Sequence, residues 1–269
     1  IPKAGGAFDY ATRGLGPNWG FLGGMSQIVE FVFAPPAIAI AIGAFIGQKF
    51  PGIDIYVAIG AYFIFTFLNI WGVKAAASFE LVITVLAVIE LLIFAGVALP
   101  SFEMKNLAIN SFPNGVSGIF AAIPFAIWFF LAIEGVANVA EETINPQRNV
   151  LIGFGSAILT LVVLCILTFL SSVGVAGWEA IVYPDGAKVA TDAPLLAALK
   201  HILGTNHFLY NLLISVGLLG LIASFHGIIL AAGRATFEFG RVGYAPKLLG
   251  KVHPKFKTPA WALIVNMLI

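Results

Sequence analysis

Three glutamates and one histidine lie inside apolar stretches that are long enough to cross a membrane. Glu30, Glu90 and Glu134 each interrupt a hydrophobic run, and His226 lies in a fourth run. Placing a carboxylate within a membrane span is unfavourable by about 3 kcal/mol on insertion scales. A sequence tolerates such a group where it faces protein, water or a bound cation. These residue types therefore favour recognition of a cation or carriage of a proton.

The spans that hold these acids contain no lysine or arginine. Buried anions without cationic partners cannot all remain ionised at low free energy. Either some of them are protonated, or a cation from outside the chain neutralises them. Both arrangements suit a carrier of small ammonium-type solutes or a proton-coupled carrier. Glu134 is the first candidate, because Gly135 weakens the helix beside it and Asn138 lies one turn further on.

The same residues also have structural interpretations. Glu30 would cap the carbonyls that Pro35 and Pro36 leave without helical donors, or it would hold helices together. Glu90 would be protonated and hydrogen-bonded to a neighbouring helix. His226 would be a packed histidine whose hydrogen bonds are satisfied. Sequence alone leaves these alternatives open.

An aromatic run at 128–130 comes shortly before Glu134. It would face lipid or pack, and Phe130 is the member best placed to stack on a cation. The sequence has no glycine-rich phosphate loop, no cysteine and histidine cluster at metal spacing and no nucleophile elbow. These features disfavour an enzyme, a metal site, an organic cofactor and a nucleic-acid partner.

The composition indicates an integral membrane protein. Hydrophobic residues make up 60% of the chain and charged residues 10%, whereas soluble domains carry roughly 25% charge. Mean hydropathy is +1.00. After a polar lead-in at 1–19, apolar length predicts spans near 21–47, 55–71, 81–99, 116–140, 150–176 and 208–232, a short helix within 193–202, and the start of a seventh span at 259–269.

The distribution of basic residues predicts the orientation of these spans. Ten lysines and arginines fall in loops on the side of the lead-in, and four fall on the opposite side. Basic loops face the cytoplasm, so the lead-in side is expected to be cytoplasmic. We expect one transmembrane domain over 1–269 that is a piece of a longer transporter, because the chain lacks a starting methionine and stops within an apolar run.

Three long strings resemble the amino acid/polyamine/organocation transporters. They are PKAGGAFDYATRGLGPNWGFLGG at 2–24, AEETINPQRNV at 140–150 and GRATFEFGRVGYAPKLLGKVHPKFKTPAWAL at 233–263. Within that family, QIVEFVFAPPAIAIAIGAF, IPFAIWFFLAIEGV and LIASFHGIIL look like the strings of bacterial ethanolamine permeases. The resemblance covers essentially the whole chain, as helices three to eight and the beginning of nine.

This resemblance implies an all-α membrane protein with a leucine-transporter-type fold. Such a fold has two inverted five-helix repeats with broken first and sixth helices, and substrate binds near the bilayer midplane. The resemblance places five successive residues in the broken sixth helix, with Ala132 standing where many relatives have glycine. These residues are Phe130, Leu131, Ala132, Ile133 and Glu134.

The resemblance also bears on two of the expected coupling residues, Glu90 and Ser224. Glu90 falls where some relatives carry a lysine on the fifth helix, and the reversed charge favours a cationic amine over a neutral amino acid. Ser224 lies near the region that holds sodium in sodium-coupled relatives. We therefore expect Glu134, Glu30 and Asn138 to help bind substrate, and Glu90, His226 and Ser224 to couple transport to protons or sodium.

The expected function is import of ethanolamine or a similar small cationic amine across the cytoplasmic (inner) membrane of a cell. Its partners would be the small amine, a proton or sodium ion and the lipid bilayer. An amino acid or polyamine permease is the alternative within the class. A membrane-embedded enzyme and a non-transporting binding or sensor subunit are the alternatives outside it.

Overall fold

The computed structural model describes residues 5–47, 50, 52–191 and 193–269, with the backbone alone described at 73–76, 142 and 214–216. Over these residues the chain forms helices and no strands. Short 3-10 turns lie at Leu99–Ser101, Ala140–Glu142 and Pro184–Gly186. The α-helices of the described part are α1 (Ala7–Leu15), α2 (Pro17–Gly47), α3 (Asp54–Trp71), α4 (Val73–Ala98), α5 (Met104–Ala108), α6 (Gly115–Trp128), α7 (Gly135–Asn138), α8 (Pro146–Ala176), α9 (Trp178–Val182), α10 (Pro194–Leu203), α11 (Phe208–Val242) and α12 (Ala260–Leu268).

Within the described ranges, five helical stretches are long and apolar enough to cross a membrane. They are α2, α3, α8, α11 and the stretch Ala77–Ser101, which includes most of α4. Much of their outer surface is apolar, as the exposed side chains of Leu151, Leu159 and Phe169 on α8 illustrate. Exposed apolar surface of this extent is typical of helices that face lipid.

The polar lead-in at 1–19 contains a helix that the sequence interpretation did not predict. In α1, the side chain of Phe8 is buried, with ring centroids 5.6 Å from Phe239 and 5.9 Å from Tyr244. The helix is short and rich in polar residues, so hydropathy alone does not mark it. Packing of one apolar side chain against a distant part of the chain accounts for it.

The end of α11 differs from the expected span, and α2 shows how a helix passes through prolines. Helix α11 continues to Val242, beyond the expected end at 232, because residues such as Ala235 and Phe239 are buried within the protein. Helix α2 runs through Pro35 and Pro36 without ending. Proline removes one backbone donor, but a helix with a packed face tolerates that loss, and Pro35 is itself buried.

The chain divides into two compact units. Unit 1 comprises 1–83, 131–158 and 221–269, and unit 2 comprises 84–130 and 159–220. The expectation of a single transmembrane domain over 1–269 stays a prediction.

Close helix packing shapes unit 1. In α2, every third or fourth residue is buried, so that one face of the helix packs against protein. Gly24 lies on this face, where an added Cβ would be 2.8 Å from the Cβ of Phe8 on α1. Only a residue without a side chain permits this approach of α1 and α2.

Unit 2 has its own apolar core, formed by Phe94, Val175, Leu199 and Leu213 together with neighbouring small residues. Helix α10 supplies part of this core, and its observed bounds confirm the expected short helix within 193–202. At its last turn, Lys200 Nζ donates to Asp185 Oδ2 at 2.6 Å. This carboxylate raises the pKa of the Lys200 ammonium.

Candidate functional site

The candidate site is built around a break in the helical backbone. Helix α6 ends at Trp128, turns occupy residues 129–134, and α7 begins at Gly135. Ala132 has a φ of +61°, in the left-handed region. That region is unfavourable for a non-glycine residue by about 1–2 kcal/mol, and such strain is characteristic of functional sites. The break coincides with the segment that the family resemblance predicts.

Glu30 binds the backbone of this break. Its Oε1 accepts a hydrogen bond of 2.8 Å from the N–H of Ala132. A carboxylate is only an acceptor, so it satisfies a free N–H here and does not cap the carbonyls near Pro35 and Pro36. Through this contact Glu30 connects α2 to the helix break.

Glu134 lies beside Glu30. The two carboxyl groups are close enough to interact electrostatically, and both side chains are partly buried. Two carboxylates at such a separation repel each other unless one is protonated or a cation lies between them. The structure thus brings together two acids that are more than one hundred residues apart in the sequence, at a strained turn of backbone.

The remaining residues of the break have different environments. The backbone N–H groups of Leu131, Ile133 and Glu134 have no hydrogen-bond partner in the part of the chain that the structure describes. Phe130 belongs to unit 2 and is 44% exposed. The assigned roles of Phe130, Leu131 and Ile133 in substrate binding stay predictions.

Asn138, at the end of α7, is fully buried. Neither atom of its amide group has a hydrogen-bond partner among the described residues. It lies against Gly6, where an added Cβ would overlap Asn138 Oδ1 and would be 3.1 Å from Gln27 Nε2. Its contacts are therefore with the α1 end of unit 1, and its role in substrate binding stays a prediction.

His226 has a partner that the sequence interpretation missed. Its Nδ1 lies 2.6 Å from Oε2 of Glu80 on α4, and its side chain is fully buried. The expected third span began at 81 and so left Glu80 in a loop. The alanines at 75–77 favour helix, and this signal would have extended the span to include Glu80.

Glu90 and Ser224 show no such partner. Glu90 lies on the unit 2 part of α4, and Ser224 is an exposed residue of α11. Across the described ranges, neither has a hydrogen bond or ion pair, and no cluster of His, Cys, Asp and Glu could hold a metal ion. Their coupling roles stay predictions.

The strings that carry the family resemblance come together in unit 1. Arg241, in the third string, lies 3.2 Å from both Glu141 Oε2 in the second string and Glu238 Oε2 on its own helix. Glu238 in turn lies near the first string, because a Cβ added to Gly5 would be 3.0 Å from Glu238 Cγ. Residues far apart in sequence thus form one polar cluster at the end of α11.

A family model described as "Amino acid permease" matches residues 1–269 of the chain. The chain belongs to the amino acid permease family. Together with its apolar helices, this membership confirms the expected class, an all-α membrane transporter of the amino acid/polyamine/organocation type. The family and its named members are transporters and not enzymes.

Curated members of the permease family align along almost all of this chain. An uncharacterized transporter of Rhizobium meliloti is 29% identical over 98% of the chain and 57% of its own length. The methylthioribose transporter of Bacillus subtilis is 27% identical over 96% of the chain and 58% of its own length. The low-affinity putrescine importer PlaP of Escherichia coli is 25% identical over 98% of the chain and 59% of its own length. The chain therefore spans somewhat more than half the length of these relatives.

An apolar groove of about 460 Å³ lies in unit 2 of this permease chain, between residues of α4, α8 and α10 that include Leu91, Leu164 and Leu195. Phe129, the first residue of the helix break, also lines it. None of the predicted site residues does so. The carboxyl groups at the break, and not this apolar groove, form the candidate substrate site.

Proposed function

We propose that this permease chain forms part of a secondary transporter that imports ethanolamine or a similar small cationic amine across the inner membrane. The observation that carries the proposal is the contact of Glu30 with the Ala132 N–H, beside the second carboxyl group of Glu134. Glu134 and Glu30 bind the ammonium group in this account.

The preference for an amine follows from the charge at the break. Free N–H groups where a helix is interrupted attract anionic groups of a ligand. Here the chain's own Glu30 carboxylate occupies one of these donors. A substrate carboxylate would meet two acids at short range and be repelled, whereas an ammonium group would be attracted. The site therefore favours an amine that lacks a carboxylate.

Coupling to protons completes the proposal. Glu90 and His226 are ionisable groups inside apolar helices, and each is suited to bind a proton in one state of the transport cycle. Sodium coupling through the region of Ser224 is the alternative. Rocking of the helical repeats would then expose bound amine to the cytoplasm.

A polyamine permease is the second candidate. The relative named as a putrescine importer supports it, because putrescine is also cationic and also lacks a carboxylate. Two amines at opposite ends of a ligand would require a second acidic position beyond the pair at the break. Competition experiments therefore separate the two candidates.

The test is uptake of labelled ethanolamine by proteoliposomes that contain the full-length protein, with and without an inward proton gradient. The proposal predicts uptake that the gradient stimulates, that unlabelled ethanolamine inhibits strongly, and that alanine inhibits weakly. Stronger inhibition by putrescine than by ethanolamine would favour the polyamine permease. Equal inhibition by alanine, or no uptake, would refute the proposed substrate class.

A further inference from the structure

His226 and Glu80 form a partly buried ionisable pair within unit 1. His226 Nδ1 lies 2.6 Å from Glu80 Oε2, which places the two groups in hydrogen-bond contact. When the imidazole is protonated and the carboxyl group is ionised, such a contact is a charge-assisted bond. The imidazole is fully buried, whereas 30% of the Glu80 side chain is exposed. The His226 imidazole is therefore enclosed by protein, and the Glu80 carboxyl group reaches the surface.

Residues of three helices enclose the imidazole. Phe65 of α3 and Phe79 of α4 present their rings to His226 at steep angles, with centroid distances of 6.0 and 5.2 Å. Gly227 makes room for the carboxylate, because an added Cβ would lie 3.2 Å from Glu80 Oε1. This fit keeps the two ionisable groups in contact.

Helix α3 also carries polar groups close to His226. His226 Nε2 is buried without a hydrogen-bond partner among the described residues, and so are Asn69 Oδ1 and Thr66 Oγ1, which lie one turn apart on α3. Thr66 also lines a cavity of about 10 Å³, which is enough for about one water molecule. His226 does not line that cavity, and the hydrogen-bonding capacity of its Nε2 is unused by the described residues.

The charge of the pair depends on a single proton. Where the structure describes side chains, Glu80 is the charged group in contact with the imidazole. Helix α3 faces the imidazole with Phe65, and Asn69 Nδ2 donates to the backbone carbonyl of His226. The next charged residue along α11 is Arg234, whose Nη1 donates to the carbonyl of Leu230. With the shared proton the pair is neutral, and without it the pair carries one negative charge.

We propose that Glu80 and His226 form the proton-carrying site of the transporter, with Glu80 as the residue that exchanges protons with His226. This inference rests on the proposed function. A proton binds the Glu80 carboxylate, and transfer from Oε2 to Nδ1 gives a carboxylate and an imidazolium. Loss of a proton from Nε2–H to water leaves a neutral imidazole. One proton enters and one leaves, and no other bond changes.

The first test compares Glu80→Gln and His226→Gln with wild type in proteoliposomes. Glutamine at position 80 retains an oxygen that accepts from Nδ1–H, so the helix contacts are kept. Accumulation of labelled ethanolamine driven by a proton gradient should fall by about tenfold or more, while exchange of labelled for unlabelled ethanolamine should fall by about twofold or less. Glu103→Gln, the same change at an exposed loop carboxylate, should alter neither rate.

Unchanged accumulation in either variant would overturn the assignment. Equal loss of accumulation and exchange in a folded variant would also overturn it, because that result indicates a purely structural pair.

A spectroscopic test does not depend on transport of ethanolamine. In full-length protein labelled with ¹⁵N-histidine, the His226→Gln variant identifies the signal of His226 among the four histidines of this chain. The proposal predicts an imidazolium signal in wild type and a neutral imidazole in Glu80→Gln at the same pH. Identical signals in the two proteins would refute the pair, even if wild type fails to carry ethanolamine and the proposed substrate is wrong.

Discussion

The contact between a side-chain carboxylate and a free backbone N–H defines the candidate site at the scale of residues. Glu30 reaches Ala132 across 102 positions of sequence, and Glu134 stands beside it. The acids themselves were predictable, because a charge within an apolar run is visible in the sequence. Their meeting was not, since it depends on the packing of α2 against the helix break. Glu80 was not predicted as a site residue, because helix α4 begins earlier than its hydropathy indicates.

Replacing Glu134 by glutamine tests the role of its charge. Glutamine preserves the size and polarity of the side chain but cannot attract an ammonium group as a carboxylate does. We expect uptake of ethanolamine by the full-length protein to fall by about tenfold or more, equivalent to about 1.4 kcal/mol. The amount of protein in the membrane should not change. Glu103→Gln serves as the matched control, and unchanged uptake in Glu134→Gln would remove this residue from the site.

The strained backbone of Ala132 leads to a second prediction. Glycine adopts a φ of +61° without the steric penalty of a Cβ. Ala132→Gly should therefore leave the free energy of unfolding unchanged from wild type or raise it by up to about 1 kcal/mol. Ala132→Val should lower stability, because a β-branched residue fits this conformation poorly. The midpoint of thermal unfolding in detergent measures both, and a lower midpoint for Ala132→Gly would contradict the observed conformation.

Among the secondary-structure elements, length and hydropathy predicted the long helices well. The hydropathy of an apolar run of about 20 residues is summed over many positions, so single residues change it little. The observed bounds of α3 and α8 are therefore close to the expected ones. The exceptions arise where tertiary contacts determine whether a segment is helical. Helix α1 depends on burial of Phe8, and the last turns of α11 are held by the polar cluster around Arg241.

A close backbone crossing at the end of α11 gives a prediction for the elements. A Cβ on Gly240 would lie 2.8 Å from the carbonyl carbon of Leu249 and 2.9 Å from the Cα of Gly250. Backbone atoms cannot move aside as a flexible side chain can, so Gly240→Ala should destabilise the protein by about 1–3 kcal/mol. Gly60 on α3 has no atom within 4 Å of an added Cβ, and Gly60→Ala is the matched control.

The expected outcome is a lower thermal midpoint for Gly240→Ala and an equal or higher one for Gly60→Ala, because alanine favours helix over glycine. If the two variants melt alike, the segment after α11 does not cross it as closely as described. Such a result would concern the packing within the third family string alone and leave the candidate site itself untouched.

At the scale of the whole molecule, composition was sufficient to predict the class. A chain with 60% hydrophobic residues and 10% charged residues cannot cover its surface with polar groups in water. Family membership over residues 1–269 confirms that class. The division into two units could not be predicted, because α4, α8 and α11 each pass from one unit to the other without a break in hydropathy.

The central claim is that two acids at the helix break select an amine without a carboxylate. Ethanolamine and glycine test it directly, since both carry an amine on a two-carbon chain. The second carbon bears a hydroxyl group in ethanolamine and is a carboxylate in glycine. The decisive measurement is displacement of labelled ethanolamine from the purified full-length protein by each compound at equilibrium. The account predicts that ethanolamine displaces the label at a concentration about tenfold or more below that of glycine. Displacement by glycine at an equal or lower concentration would contradict it.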